Sequence, residues 1–190
     1  MATEAARPRH WDGEVNGDSA SSWSTAAVRD TWVSAGLLVL RVALGATFLL
    51  HGVQNLFGAW TGWDTAKMAG YLGSKGVGAS QTFSWITAIT EVIAGVLLLV
   101  GLLTSVGAAI VVVTMAASSY IKLSAGGGFF MPTGFEWELA VLAGGLGLLL
   151  AGAGRFAVDS KLSGRALGRA RTISIVLAVL AFVAIVPFLS

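Results

Sequence analysis

Apolar residues run almost unbroken through five stretches, 33–59, 83–103, 104–123, 136–153 and 172–189, with polar segments between them. A bilayer core about 30 Å thick is crossed by about 20 helical residues, so each stretch predicts a membrane-spanning helix. The first, VSAGLLVLRVALGATFLLHGVQNLFGA, is long enough to tilt and carries Arg41 and His51. The second carries Glu91 and is parted from the third only around Thr104 and Ser105, which demands a tight hairpin. The fourth begins at Glu136 or Glu138 and is rich in small residues. The fifth is TISIVLAVLAFVAIVPFL, where Pro187 near the end does little harm; its alternative is an in-plane hydrophobic tail.

The pattern therefore predicts an all-α, polytopic membrane four-helix bundle over 32–160 with a fifth, C-terminal transmembrane helix over 172–190. Residues 1–31 read as a disordered cytoplasmic tail, in which Trp11 and Trp23 are candidate membrane anchors, and residues 161–171 as a basic cytoplasmic loop. The segment 61–82 predicts a short helix lying on the outer surface, and GGGFFMPTG (126–134) a mobile loop without a phosphate-cradling motif.

Composition sharpens this picture. Of 190 residues 55% are hydrophobic and only 12% charged, about half the charge of an average soluble domain. An ordinary soluble enzyme, a nucleic-acid binder and a disordered chain are excluded. There is no cysteine, which removes disulfides, iron–sulfur clusters and Cys-ligated zinc. With His10 and His51 the only histidines, the chain cannot hold a bis-His haem alone, and no metal site is expected. Eight Lys and Arg residues fall on the side of the N-terminus against three on the other (Lys67, Lys75, Lys122). The positive-inside rule then places the N-terminus in the cytoplasm of a bacterium and, with five spans, the C-terminus outside. Aromatic residues gather on the outer side, which fits an interfacial belt or a covered outer vestibule.

Ionisable residues in hydrocarbon cost several kcal/mol unless paired, so each is a functional candidate. Arg41 lies about 12 Å and Glu91 about 18 Å from the inner edge at 1.5 Å per residue, a gap an arginine can close; an Arg41–Glu91 pair locking two helices is expected. Arg41, Gly45, Phe48, Gly52 and Asn55 share one helical stripe that must face other helices, with His51 at its margin. His51 and Glu91 are the candidates for proton transfer. Lys122 faces Glu136 and Glu138, either as a helix-end salt bridge or as part of one polar pocket with His51, Asn55 and Glu91. Arg41, Asn55, Lys122, Glu136 and Glu138 are the candidate binding residues. Small residues at Ala140/Gly144 and Ala143/Gly147/Ala151 predict close helix packing by the fourth helix.

Three segments carry a family resemblance. RVALGATFLLHGVQNLFG (41–58), EVIAGVLLLVGLLT (91–104) and ELAVLAGGLGLLLAGAGRFAVD (138–159) resemble the corresponding helices of DoxX, a family of small four-helix membrane proteins, over about 36–160. The chain departs from it in Asn55, where many members carry lysine, and in the fifth helix. The resemblance implies membrane redox chemistry, linked to thiosulfate:quinone oxidoreduction and to oxidoreductase complexes against thiol or oxidative stress. It carries over no catalytic residues.

Three functional readings stay open. The chain is a subunit of a quinone-linked or oxidative-stress redox complex, binding quinone or lipid near His51 and Glu91. Alternatively it is a non-catalytic accessory subunit that docks on a larger membrane complex or on copies of itself, or a small-molecule or proton carrier using Arg41, Glu91 and Lys122. Complex membership ranks above autonomous catalysis, membrane lipids are expected partners, and nucleic acid is not.

Overall fold

A computed structural model describes residues 17–130 and 134–188. The order is α1 (Gly17–Phe57), α2 (Thr65–Ser74), α3 (Ser80–Val100), α4 (Thr104–Ser124), α5 (Glu136–Ala151) and α6 (Gly164–Ile185), with short 3-10 turns at Val158–Lys161 and Val186–Phe188. The fold is all-α. Four stretches are long and apolar enough to cross a membrane: Asp30–Phe57, Ser80–Val100, Thr104–Ser124 and Gly164–Phe188. α5 has 16 residues and spans only about 24 Å. Its first turn meets one end of α4, where Glu138 reaches Ser118 and Lys122, and the 3-10 turn that follows it meets the other, where Asp159 reaches Thr104.

α1, α3, α4 and α5 pack in a ring, each against the next. Their shared core is Leu44 and Phe48 from α1, Ala94 and Leu98 from α3, Ala108 and Val111 from α4, and Val141, Leu148 and Leu149 from α5. α6 lies outside this ring, packed mainly on α4. α2 packs chiefly on α3. Leu72 of α2, Val77 and Ile121, with Met68, Phe83 and Ile185 around them, form a second cluster that closes one end of the bundle.

Glycine sets the α1–α3 spacing. A Cβ on Gly52 would come 2.6 Å from the Val92 nitrogen, and one on Gly95 2.5 Å from the Leu49 nitrogen. The predicted stripe on α1 is thus buried: Arg41, Gly45, Phe48, Gly52 and Asn55 all face inward, with Leu44 beside them, while His51 stays exposed at its margin.

Several expectations are corrected. α1 starts at Gly17, so 17–31 continue the helix instead of forming a disordered tail. Ala20, Ala26 and Ala27 favour helix, and an established helix extends at low cost where no proline intervenes. Residues 1–16 lie outside the described residues, as do the Trp11 and Trp23 side chains with their anchoring role. The α3–α4 turn is Gly101–Leu103, not Thr104–Ser105: Gly101 and Leu103 adopt left-handed backbone at φ 72° and 48°, and α4 begins at Thr104. The alanines of the small-residue stripe of α5, Ala140, Ala143 and Ala151, are exposed, while its Gly144 meets α1, a built Cβ lying 3.3 Å from Leu40. The buried close approach there belongs to Gly145, against Val111 at 2.8 Å for a built Cβ. In the 126–134 segment, Gly127 N donates to Lys122 O at 2.9 Å and Glu136 N to Phe129 O at 3.0 Å. Phe129 packs edge-on against Phe130 and Phe135, so the described part is a hydrogen-bonded turn; 131–133 lie outside the described residues.

Candidate functional site

Arg41 and Glu91 do not pair. The Arg41 guanidinium donates to Ala153 O at 3.1 Å and Phe156 O at 2.8 Å, in the turn after α5. Gly101 closes over it: a Cβ there would lie 2.6 Å from Arg41 Nη1. Asp159 supplies the nearby opposite charge, and its carboxylate accepts from Leu103 N and Thr104 N, each at 2.8 Å. These two amides open α4, where N–H groups lack helical partners and the helix dipole favours an anion. The expected pairing fails because Arg41 points toward this end of the bundle, where carbonyls and a carboxylate already surround it. Arg41 is therefore a structural staple and is not part of the cavity described next.

Glu91 has a different partner. Its Oε2 accepts from Asn55 Nδ2 at 2.8 Å, both residues being buried. Asn55 stands on α1 two turns or so beyond Phe48, where α1 and α3 are held close by the glycines. Farther toward the α2 end, Lys122 Nζ lies 2.7 Å from Glu138 Oε1 and donates to Gly134 O at 3.0 Å. Ser118 Oγ donates to the same Glu138 oxygen at 3.3 Å. Glu138 is 7% exposed, and its Oε2 is buried with no protein partner.

These groups line one cavity of about 980 Å³, which takes in His51, Asn55, Glu91, Ser118, Lys122 and Glu138. Volume of that size suits one drug-sized or larger ligand. The core side chains fill the Arg41 end of the ring, and the polar members of the cavity gather toward the other end. Trp63, Met68 and Leu72, in and just before α2, roof it. On one flank it runs as a fissure between α3 and α6, which scarcely touch each other because each packs on α4. Ile86 and Thr87 of α3, Ile110 and Val113 of α4, and Ile173 and Leu177 of α6 are among its lining residues. α6 is fixed at both ends: Arg171 Nη1 donates to Leu150 O at 3.1 Å, and Phe188 O accepts from Gly78 N at 3.0 Å.

His51 sits at the cavity margin with Nδ1 3.0 Å from Thr47 O. A carbonyl only accepts, so Nδ1 carries the proton; in the neutral ring Nε2 is then an acceptor. Of the sequence candidates, His51, Asn55, Glu91, Lys122 and Glu138 come together. Arg41 lies at the far end of the bundle. Glu136 sits in the first turn of α5 beside Glu138 but does not line the cavity. Ser118 and Asp159 were missed as partners. Ser118 lies one helical turn before Lys122, a spacing that puts both on one face, and Asp159 ends the third resemblance segment.

Comparison with known proteins agrees with the helix pattern. The DoxX family profile matches residues 36–124, which includes Arg41, His51, Asn55, Glu91, Ser118 and Lys122 but ends before Glu138 and α6. An uncharacterized membrane protein of Mycobacterium tuberculosis is 29% identical over 162 residues, covering 80% of this chain and 95% of that protein. No solved structure matches significantly. Residues 36–124 are thus similar to the DoxX family, and the chain is a multi-pass membrane protein.

Proposed function

We propose that the protein is a membrane-embedded binding subunit that holds a lipophilic molecule with a polar head, a quinone-class molecule first among candidates, within a redox complex of the bacterial plasma membrane. The observation that carries this reading is the union of apolar walls with His51, Asn55, Glu91, Lys122 and Glu138 in one cavity of about 980 Å³. A purely structural set of helix-end charges would need no such space. In this reading His51 and Glu91, which both line the cavity, exchange protons with a bound head group. Oxidation of a hydroquinone releases two protons and two electrons; the electrons go to a haem or iron–sulfur centre on a partner, because this chain has no cysteine and two histidines. Arg41 takes no part beyond holding the bundle together. The N-terminus is assigned to the cytoplasm by the excess of Lys and Arg on its side.

The test is organic extraction of the protein purified from its native membrane, followed by chromatography for quinones. Wild type should yield bound quinone in a fixed ratio to protein, and His51→Ala and Glu91→Gln should yield several-fold less. A wild type free of quinone contradicts the reading.

One observation favours the accessory reading beside it. α6 lies beyond the family match and exposes Ile173, Val176, Leu177, Leu180 and Val183, each more than half accessible. Such a face suits lipid or a neighbouring subunit. Stable co-purification of a redox partner from a quinone-free protein would select it.

A further inference from the structure

Hydrogen bonds tie α3 and α6 together just beyond their ends. At the Arg41 end, Asp159 in the turn before α6 donates its N–H to Gly101 O, at the close of α3, at 2.9 Å. At the α2 end, Gly78 N, two residues before α3, donates to Phe188 O, just after α6, at 3.0 Å. Between these ties the two helices scarcely touch, and each rests on α4. The fissure is therefore a framed slot, with α3 and α6 as its sides, α4 as its floor and both ends closed. Its side on α3 is 21 residues long, about 30 Å at the helical rise, and about 30 Å is the thickness of a bilayer's hydrocarbon core.

Resting on the reading of the cavity as a ligand site, we infer that this slot is the cavity's doorway: the ligand is a molecule already dissolved in the bilayer, and it enters and leaves sideways between α3 and α6. The floor of the slot is uncovered. α3, α5 and α6 all pack on α4, yet no residue from Val112 to Tyr120 is fully buried. Ile86 of α3 and Ile173 and Leu177 of α6 line the cavity, and each is more than half accessible. Apolar side chains around a mouth suit hydrocarbon and are unfavourable around water.

The α2 end offers no comparable passage. Leu72, Val77 and Ile121 are buried there, with Met68, Phe83 and Ile185 packed around them. A ligand arriving from water would have to part this cluster and carry its apolar chain through water, whereas sideways entry keeps every methylene in hydrocarbon. One whole side of the slot is α6, which lies beyond the family match at residues 36–124. Without α6 the groove on α4 would be a bare lipid-facing surface, so the added helix is what turns that surface into an entrance.

The chain has no cysteine of its own, so a nitroxide on Thr114→Cys, on the α4 lining of the cavity, reports from one place. The labelled full chain in quinone-free phosphatidylcholine nanodiscs would be read by power-saturation EPR. Oxygen, which concentrates in the bilayer, and a nickel chelate, which stays in water, serve as relaxing agents. Val183→Cys on the exposed face of α6 and Lys161→Cys in the exposed turn before it give the lipid and water references. Oxygen accessibility at Thr114→Cys should come within about twofold of Val183→Cys, and nickel accessibility should lie at least about fivefold below Lys161→Cys. Adding Leu177→Trp, which narrows the slot, should cut the oxygen value about threefold or more, and adding Val183→Trp should leave it unchanged. Ala117→Cys, also on the α4 lining, serves in place of Thr114→Cys should that variant not fold. Nickel accessibility near the Lys161→Cys value would mean that the cavity opens to water, and low values for both agents would mean a shut slot. An oxygen value indifferent to Leu177→Trp would mean another route. Each of these three results overturns the inference and leaves ligand binding itself to the extraction experiment. Decylubiquinone in the bilayer should lower the oxygen value at Thr114→Cys and not at Val183→Cys; an open slot that it does not shield overturns the quinone-class reading and leaves the sideways route standing.

Discussion

Two buried charges on facing helices, Arg41 of α1 and Glu91 of α3, satisfy themselves separately. Arg41 uses the carbonyls of Ala153 and Phe156 and the charge of Asp159, whereas Glu91 uses Asn55. Removing one member of a buried charged network typically costs about 3–5 kcal/mol. Arg41→Leu should therefore lower thermal stability in detergent by that order. In double-mutant cycles it should couple to Asp159→Ala by about 1–3 kcal/mol but combine additively with Glu91→Leu, within about 0.5 kcal/mol. Strong coupling to Glu91 would contradict these partners. The sequence made both charges legible as buried, because nothing else explains ionisable residues in apolar helices. It did not disclose their partners: heights along helices say how far apart two residues sit, and not which way a long arginine bends. Asp159 was hidden for a related reason. It lies in a loop 55 residues from the amide of Thr104 that it caps, and the usual N-cap search looks only at the residue just before the helix.

Helices were the most legible level, since a run of about 20 apolar residues has few alternatives in a membrane protein. What periodicity left open was which small residues matter. Ala140, Ala143 and Ala151 keep the spacing of a packing motif and yet face outward, while Gly45, Gly52 and Gly95 bring α1 and α3 together. Small residues permit close approach but do not compel it; the partner must present a groove. Gly52→Ala and Gly95→Ala should each push backbone atoms apart and destabilise the fold by about 1–3 kcal/mol. Gly70→Ala in α2, whose Cβ would meet nothing within 4 Å, should be neutral or stabilising by about 0.5–1 kcal/mol, as helix propensity favours alanine. Chemical denaturation of the three variants gives the order. Comparable losses for all three would contradict the glycine-set spacing of α1 and α3. The α3–α4 turn shows the same interplay of local and distant forces. Leu103 holds a left-handed backbone that costs a non-glycine residue about 1–2 kcal/mol, and the bond from its amide to Asp159 offsets that strain.

For the whole molecule, the proposed topology of five crossings would put the termini on opposite sides. The absence of native cysteine makes this directly measurable. Ala2→Cys should be labelled by an impermeant maleimide only from the cytoplasmic face, and Ser190→Cys only from the outer face. Labelling of both from one side would reduce the number of crossings to an even one. The cavity was legible in part: its polar members could be gathered from the outer-half positions of His51, Asn55, Glu91, Lys122 and Glu138. Its apolar half was not, because it depends on α3 and α6 standing apart on α4, a relation between elements that no single segment encodes. Ala178 of α6 lines that half. Native mass spectrometry of the protein released from its own membrane, wild type beside Ala178→Trp, addresses the occupied cavity most directly. Wild type should carry one tightly held lipophilic molecule with a polar head, which the bulky substitution displaces without unfolding the bundle. Wild type bare of any bound molecule, or identical adducts on both proteins, would contradict a ligand site between α3, α4 and α6.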